Sequence, residues 1–236
     1  MTASDRLRPR RPRGYFLRAA VAVVATAVAA ATATAVPQAS AVSAEAKPVI
    51  FVHGFKGSTK TDWSVMAEEF RDNGYTSLWE FTYSSTKSNR TIAEEFSEAV
   101  DYVKSETGAE RVGVVTHSMG GLNTRWYLKF LGGTDNVSSW VSLGGPNHGT
   151  NWAYGCFYTA CFEMRPGSNF LTTLNEGDET PGPVDYGTWW SPCDGIIDPT
   201  DSVLLDGAKN TKTECIGHNE LPRDEVVAGQ VVDFVS

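Results

Sequence analysis

The chain has 236 residues, 41% hydrophobic and 20% charged, with a formal net charge of −8. This is the composition of an ordinary globular protein, of a normal size for one compact domain. The acidic balance argues against nucleic acid and anionic surfaces as broad electrostatic partners.

The first forty or so residues stand apart. Arg6, Arg8, Arg10, Arg11, Arg13 and Arg18 form a basic leader, Ala19 to Val36 is apolar or Thr throughout, and Ala39-Ser40-Ala41 and Val42-Ser43-Ala44 follow. A charged leader, an apolar core and a small-residue cleavage pattern make a secretory signal peptide, so residues 1–44 are expected to be removed. A membrane anchor is the alternative, but the segment is rich in Ala and Thr and cleavage patterns follow at once. Arg10-Arg11 suggests twin-arginine export, while Pro12-Arg13-Gly14 does not fit that signal, so the route stays open. Losing six Arg and Asp5 would take the net charge from −8 to −13, leaving residues 45–236 as one exported domain with no stable membrane anchor.

Lys47-Pro48-Val49-Ile50-Phe51-Val52 is a nearly continuous apolar run that reads as a strand buried on both faces, ending at His53-Gly54-Phe55. Trp63, Met66, Ala67 and Phe70 mark a helix over 61–72, and Tyr75 to Tyr83 is strand-like. Ile92, Phe96, Val100 and Val103 lie on one face of a helix over 92–106, closed by Thr107-Gly108. A strand over 111–116, a helix from Met119 to about Leu131 and a strand over 137–143 follow. Asn147 to about Gly182 loses regularity but carries many aromatics and two cysteines, which suggests a loop excursion with one short helix near 168–174. Strands over 184–190 and 210–215 and a helix over 224–234 complete the chain. Alternating strands and helices imply an α/β fold with a mostly parallel sheet of about six strands.

The most informative stretch is Val114-Val115-Thr116-His117-Ser118-Met119-Gly120-Gly121. Strand, sharp turn and helix would expose a serine hydroxyl above the sheet, near a helix N-terminus. The usual pattern is G-x-S-x-G, and Thr116 takes the first glycine position. A serine is activated only by a base oriented by an acid. Asp194 follows the 184–190 strand and His218 follows the 210–215 strand, giving the chain order Ser, Asp, His. Asp198, Asp201, Asp206 and the weaker Asp185 are rivals for the acid; His53, His117 and His148 are rivals for the base.

These residues resemble a family. Val52-His53-Gly54-Phe55, His117-Ser118-Met119-Gly120-Gly121, Gly145-Pro146-Asn147-His148-Gly149, Asp194-Gly195-Ile196-Ile197 and Gly217-His218 are similar to the small secreted bacterial lipases of bacilli and actinomycetes. The resemblance spans nearly the whole exported part and implies an α/β-hydrolase fold with little or no lid. It implies a metal-independent, cofactor-free serine esterase with Ser118 as nucleophile, His218 as base and Asp194 orienting it. The backbone N–H groups of Phe55 and Met119 would hold the oxyanion. Triacylglycerols are the implied substrates, met at a lipid–water interface; a polyesterase or phospholipase with the same triad is the near alternative, and a catalytically silent binding protein the distant one. Cys156, Cys161, Cys193 and Cys215 imply two disulfides in an exported chain. Of three pairings we expect Cys156–Cys161 and Cys193–Cys215, because the second would tie the acid's loop to the base's loop.

Overall fold

The computed structural model describes residues 2–10, 47–57 and 61–236. The apolar core and cleavage patterns of the expected signal peptide lie outside the described residues. Chain order is α1 (Ala3–Arg6), β1 (Leu7–Pro9), β2 (Val49–Val52), α2 (Ser64–Asp72), β3 (Leu78–Phe81), α3 (Asn89–Thr107) and β4 (Val112–His117). Then come α4 (Gly120–Phe130), β5 (Val137–Leu143), α5 (Thr159–Met164), α6 (Asn169–Asn175), β6 (Asp185–Trp190), β7 (Lys209–Lys212) and α7 (Glu225–Val235).

The strands form one sheet in the order β1-β3-β2-β4-β5-β6-β7. The six from β2 to β7 are parallel, as expected; only β1 runs antiparallel, against β3. That seventh strand belongs to the leader. Leu7 enters the core, Arg6 pairs with Glu95 and Glu98, and Arg10 pairs with Glu80. Strand order reverses at β2: the chain moves outward to β3, then returns past β2 to β4. The carboxyl ends of β2 and β4 therefore border the crevice where ligands of such sheets bind.

Each strand residue of β2 is completely buried because its neighbours alternate between two layers. Ile50 and Val52 pack with α3 and α4 through Ile92, Phe96 and Leu122, whereas Val49 and Phe51 pack with α2 and α7 through Met66, Phe70, Val227 and Val231. Each such side chain contributes about 1.5–3 kcal/mol of burial, which explains the continuous apolar run. The helices have local causes too. Ser88 caps α3 by accepting from the Arg90 N–H, and Gly108 ends it at φ +74°, a conformation Cβ disfavours.

Several boundaries differ from expectation, among them that of the strand expected over 75–83, which spans Leu78–Phe81. α2 starts at Ser64 because Asp62 accepts the Ser64 N–H in a local turn. The 147–182 excursion is more regular than a loop: it holds the 3₁₀ turn Asn151–Gly155 together with α5 and α6. β7 stops at Lys212, short of Cys215, so His218 sits in a turn six residues past the strand.

Candidate active site

β4 delivers Ser118 directly. Its φ is +55°, in the left-handed region, which costs a non-glycine residue roughly 1–2 kcal/mol and turns the side chain out above the strand end. The surrounding backbones leave no room for larger residues. A Cβ on Gly120 would lie 2.7 Å from the carbonyl oxygens of both Val52 and His53, and one on Gly54 would lie 2.6 Å from Ser118 Cβ. Thr116 is tolerated in the first glycine position because its hydroxyl turns to the neighbouring strand and donates to the Val141 carbonyl at 2.8 Å.

Asp194 and His218 meet. His218 Nδ1 lies 2.7 Å from Asp194 Oδ2, with both side chains buried. Because a carboxylate only accepts, Nδ1 carries the proton and Nε2 is left with its lone pair. The other oxygen, Asp194 Oδ1, accepts the N–H groups of Ile196 and Ile197 at 2.9 Å each, so the carboxylate is fully oriented. Ser118 and His218 line one cavity of about 240 Å³ together with Gly54, Phe55, Trp152 and Met164. No hydrogen bond joins Ser118 Oγ to His218 among the described residues. Neither the Phe55 nor the Met119 N–H donates a loop or turn hydrogen bond there.

The rival residues are exposed or otherwise occupied. Asp185, Asp198, Asp201 and Asp206 are exposed, and Asp198 accepts from Asn151. His148 pairs with Glu179 at 2.7 Å outside the cavity, and that hydrogen bond raises its pKa. His53 donates from Nδ1 to the Gly54 carbonyl, accepts the Tyr83 N–H at Nε2 and stacks on the Tyr83 ring at 4.1 Å. Burial pushes its imidazole down to about 4, against the opposing pull of the Gly54 hydrogen bond. His117 bonds the His218 carbonyl, and burial keeps it neutral.

Both expected disulfides are present, with Cα–Cα distances of 5.6 Å for Cys156–Cys161 and 5.0 Å for Cys193–Cys215. The second bridges the acid and base loops. Ser191, which the sequence did not single out, reinforces it: its hydroxyl accepts the N–H groups of Cys193 and Ile216 and donates to the Glu214 carbonyl. A Ser two residues before a Cys carries no distinctive signal. Gly144, at φ +56°, is similar: a Cβ there would lie 3.0 Å from Asp194 Oδ2 and 3.2 Å from His218 Nδ1.

A parallel sheet with a serine on a left-handed strand-to-helix turn, and a carboxylate–imidazole pair beyond later strands, defines an α/β-hydrolase. Comparison with known proteins narrows this: residues 46–213 match the family described as lipase (class 2), and the chain belongs to that family. Among solved structures it is similar to Aspergillus fumigatus lipase B, with a TM-score of 0.67 and 19% identity over 79% of this chain and 51% of that one. It is likewise similar to the mature form of Bacillus licheniformis lipase BlEst2, with a TM-score of 0.67 and 19% identity over 80% of this chain and 90% of that one. The chain spans about half the length of the Aspergillus lipase. Among the described residues, no helix is long and apolar enough to cross a membrane.

Proposed function

We propose that this chain is a secreted serine esterase of the lipase type that hydrolyses carboxylic esters through an acyl-enzyme. The observation that carries the reading is the buried 2.7 Å Asp194–His218 contact in the cavity shared with Ser118. Ser118 Oγ attacks the ester carbonyl as His218 Nε2 takes its proton; the same proton then passes to the leaving alcohol. Water repeats the sequence on the acyl-enzyme. Asp194 holds the tautomer that exposes Nε2 and stabilises the imidazolium. The N–H groups of Phe55 and Met119 are the donors for the oxyanion. A fluorophosphonate probe tests this: an adduct on Ser118, lost in Ser118→Ala, is expected, and an unmodified wild-type serine would overturn the mechanism.

Triacylglycerol presented at a lipid–water interface is the proposed substrate. The support is a rim of exposed aromatics beside the cavity: Trp152, Tyr154, Phe157, Tyr158 and Phe162, with Phe157 78% exposed inside the Cys156–Cys161 loop. Exposed aromatic rings of this kind suit contact with an apolar phase. Arg165 lies over the Tyr154 and Phe162 rings and Lys56 over Phe55 and Tyr158, which holds these rings in place at the surface. Phe157→Ser with Phe162→Ser should lower hydrolysis of emulsified long-chain ester at least about tenfold while sparing a soluble short-chain ester. Equal loss on both substrates would refute the interfacial part.

A further inference from the structure

His117 is a buried imidazole that the proposed reaction does not use, yet it touches the one that does. Its Nε2 lies 3.0 Å from the carbonyl oxygen of His218, and the two rings are 4.6 Å apart, centroid to centroid, inclined by 42°. A carbonyl only accepts, so His117 carries its proton on Nε2; Nδ1 has no hydrogen-bond partner among the described residues.

The two histidines sit on backbones of different rigidity. His117 is the last residue of β4, paired in register with Leu143 of β5. His218 sits in an irregular turn outside any strand or helix, with the local Glu220 N–H to Gly217 carbonyl bond and the Cys193–Cys215 bridge nearby. The His117 N–H thus reaches from the sheet across to the base's own peptide. His117 also directly precedes Ser118, so the residue holding the base and the nucleophile share one rigid backbone.

We propose that His117 is a positioning residue for His218: its Nε2–H, bonded to the His218 carbonyl, fixes the peptide from which the base projects, keeping Nδ1 on Asp194 and Nε2 toward Ser118. This rests on the triad reading above. The chemistry explains the choice of residue. The donor must stay uncharged beside a ring that becomes an imidazolium during acyl transfer, so Lys or Arg would oppose the reaction. The titratable groups facing His117 are His218, His53 and, through His218, Asp194. Burial and the neighbouring imidazoles all hold it neutral.

The test uses His117→Leu, His117→Asn and His117→Gln in the full chain. The Gln amide nitrogen is as many bonds from Cβ as Nε2 of histidine and keeps the donor; Asn is polar but one bond short; Leu has no donor. His117→Leu and His117→Asn should lower kcat about 10- to 100-fold with KM nearly unchanged, as expected for a base displaced by a fraction of an ångström. His117→Gln should recover to within about threefold of wild type. The low-field NMR signal of the proton between His218 Nδ1 and Asp194 should weaken or shift in the Leu and Asn variants and persist in Gln. A merely structural residue would move stability without this split. Should Leu fail to fold, the Asn–Gln comparison decides alone. Wild-type kcat and an unchanged signal in folded His117→Asn would overturn the assignment, as would a folded His117→Gln as impaired as Asn. Failure of the triad reading is separately visible, as absence of the fluorophosphonate adduct on Ser118 of the wild-type protein.

Discussion

Acidification should destabilise this protein through His53 before most carboxylates titrate. The imidazole is fully enclosed and uses both nitrogens in the neutral form: Nδ1 donates to the Gly54 carbonyl and Nε2 accepts the Tyr83 N–H. A proton on Nε2 would turn that second bond into a clash of donors. With an ordinary value of 6.5 in the unfolded chain and about 4 in the fold, the unfolded state binds the proton first. The stabilisation is therefore complete above the unfolded value and is lost as pH falls through 6.5 toward 4. Each unit of difference corresponds to about 1.4 kcal/mol, so going from about pH 7.5 to about pH 4.5 should cost roughly 2.5 kcal/mol from this residue. That is a sizeable share of a typical stability of about 5–15 kcal/mol. Urea midpoints of wild type and His53→Gln across this range isolate the effect, because carboxylates and other histidines contribute to both. The variant is less stable at neutral pH but should lose about 2.5 kcal/mol less on acidification. His53 should also show no NMR titration above about pH 5. Identical pH slopes, or a His53 midpoint near 6.5, would refute the reasoning.

Three further outcomes follow from the site. Ser118→Ala should reduce kcat by about six orders of magnitude with an unchanged far-UV spectrum, since nucleophile and base act as a unit; activity within tenfold of wild type would contradict the nucleophile assignment. Asp194→Asn places an amide where His218 Nδ1 now donates and should lower kcat by about four orders of magnitude, whereas Asp198→Asn, on an exposed carboxylate bonded to Asn151, should remain within about tenfold. The reverse ranking would reassign the acid. Removing Cys193 and Cys215 together opens a loop with a sequence separation of 22 and should cost about 3 kcal/mol in denaturant unfolding. Activity of the folded double variant should fall as well, and full activity would show that Ser191 alone holds the acid and base loops together.

Much of this architecture was legible because local chemistry and global fold agree. The β2 run Val49–Val52 has to be buried on both faces, and Ile92, Phe96, Val100 and Val103 have to line one helix face, whatever surrounds them. Ser118, Asp194 and His218 could be put forward together because each was expected to follow a strand, and a parallel sheet brings its carboxyl ends together. What failed was mainly the reach of elements. Lys209-Asn210-Thr211-Lys212 forms β7 with largely polar, exposed side chains, so its end could not be read from an apolar pattern. The helices of 147–182 are too short for periodicity to declare them.

The layers, the strand-to-helix turn at Ser118, the chain order of the three site residues and the even count of cysteines can be read from the chain alone, because they depend on residue identity and on patterns within a few residues of one another. Which carboxylate meets His218 is a matter of packing: Asp194, Asp198, Asp201 and Asp206 differ by a turn or two of loop, and Asp194 is held in place by the Ile196 and Ile197 N–H groups and the Cys193–Cys215 bridge. The tertiary structure alone assigned Ser191, Gly144 and His117 their contacts with that pair. Such contacts join residues far apart in the chain, and a hydrogen bond across 101 residues, from His117 to the His218 carbonyl, leaves no local signature in either segment.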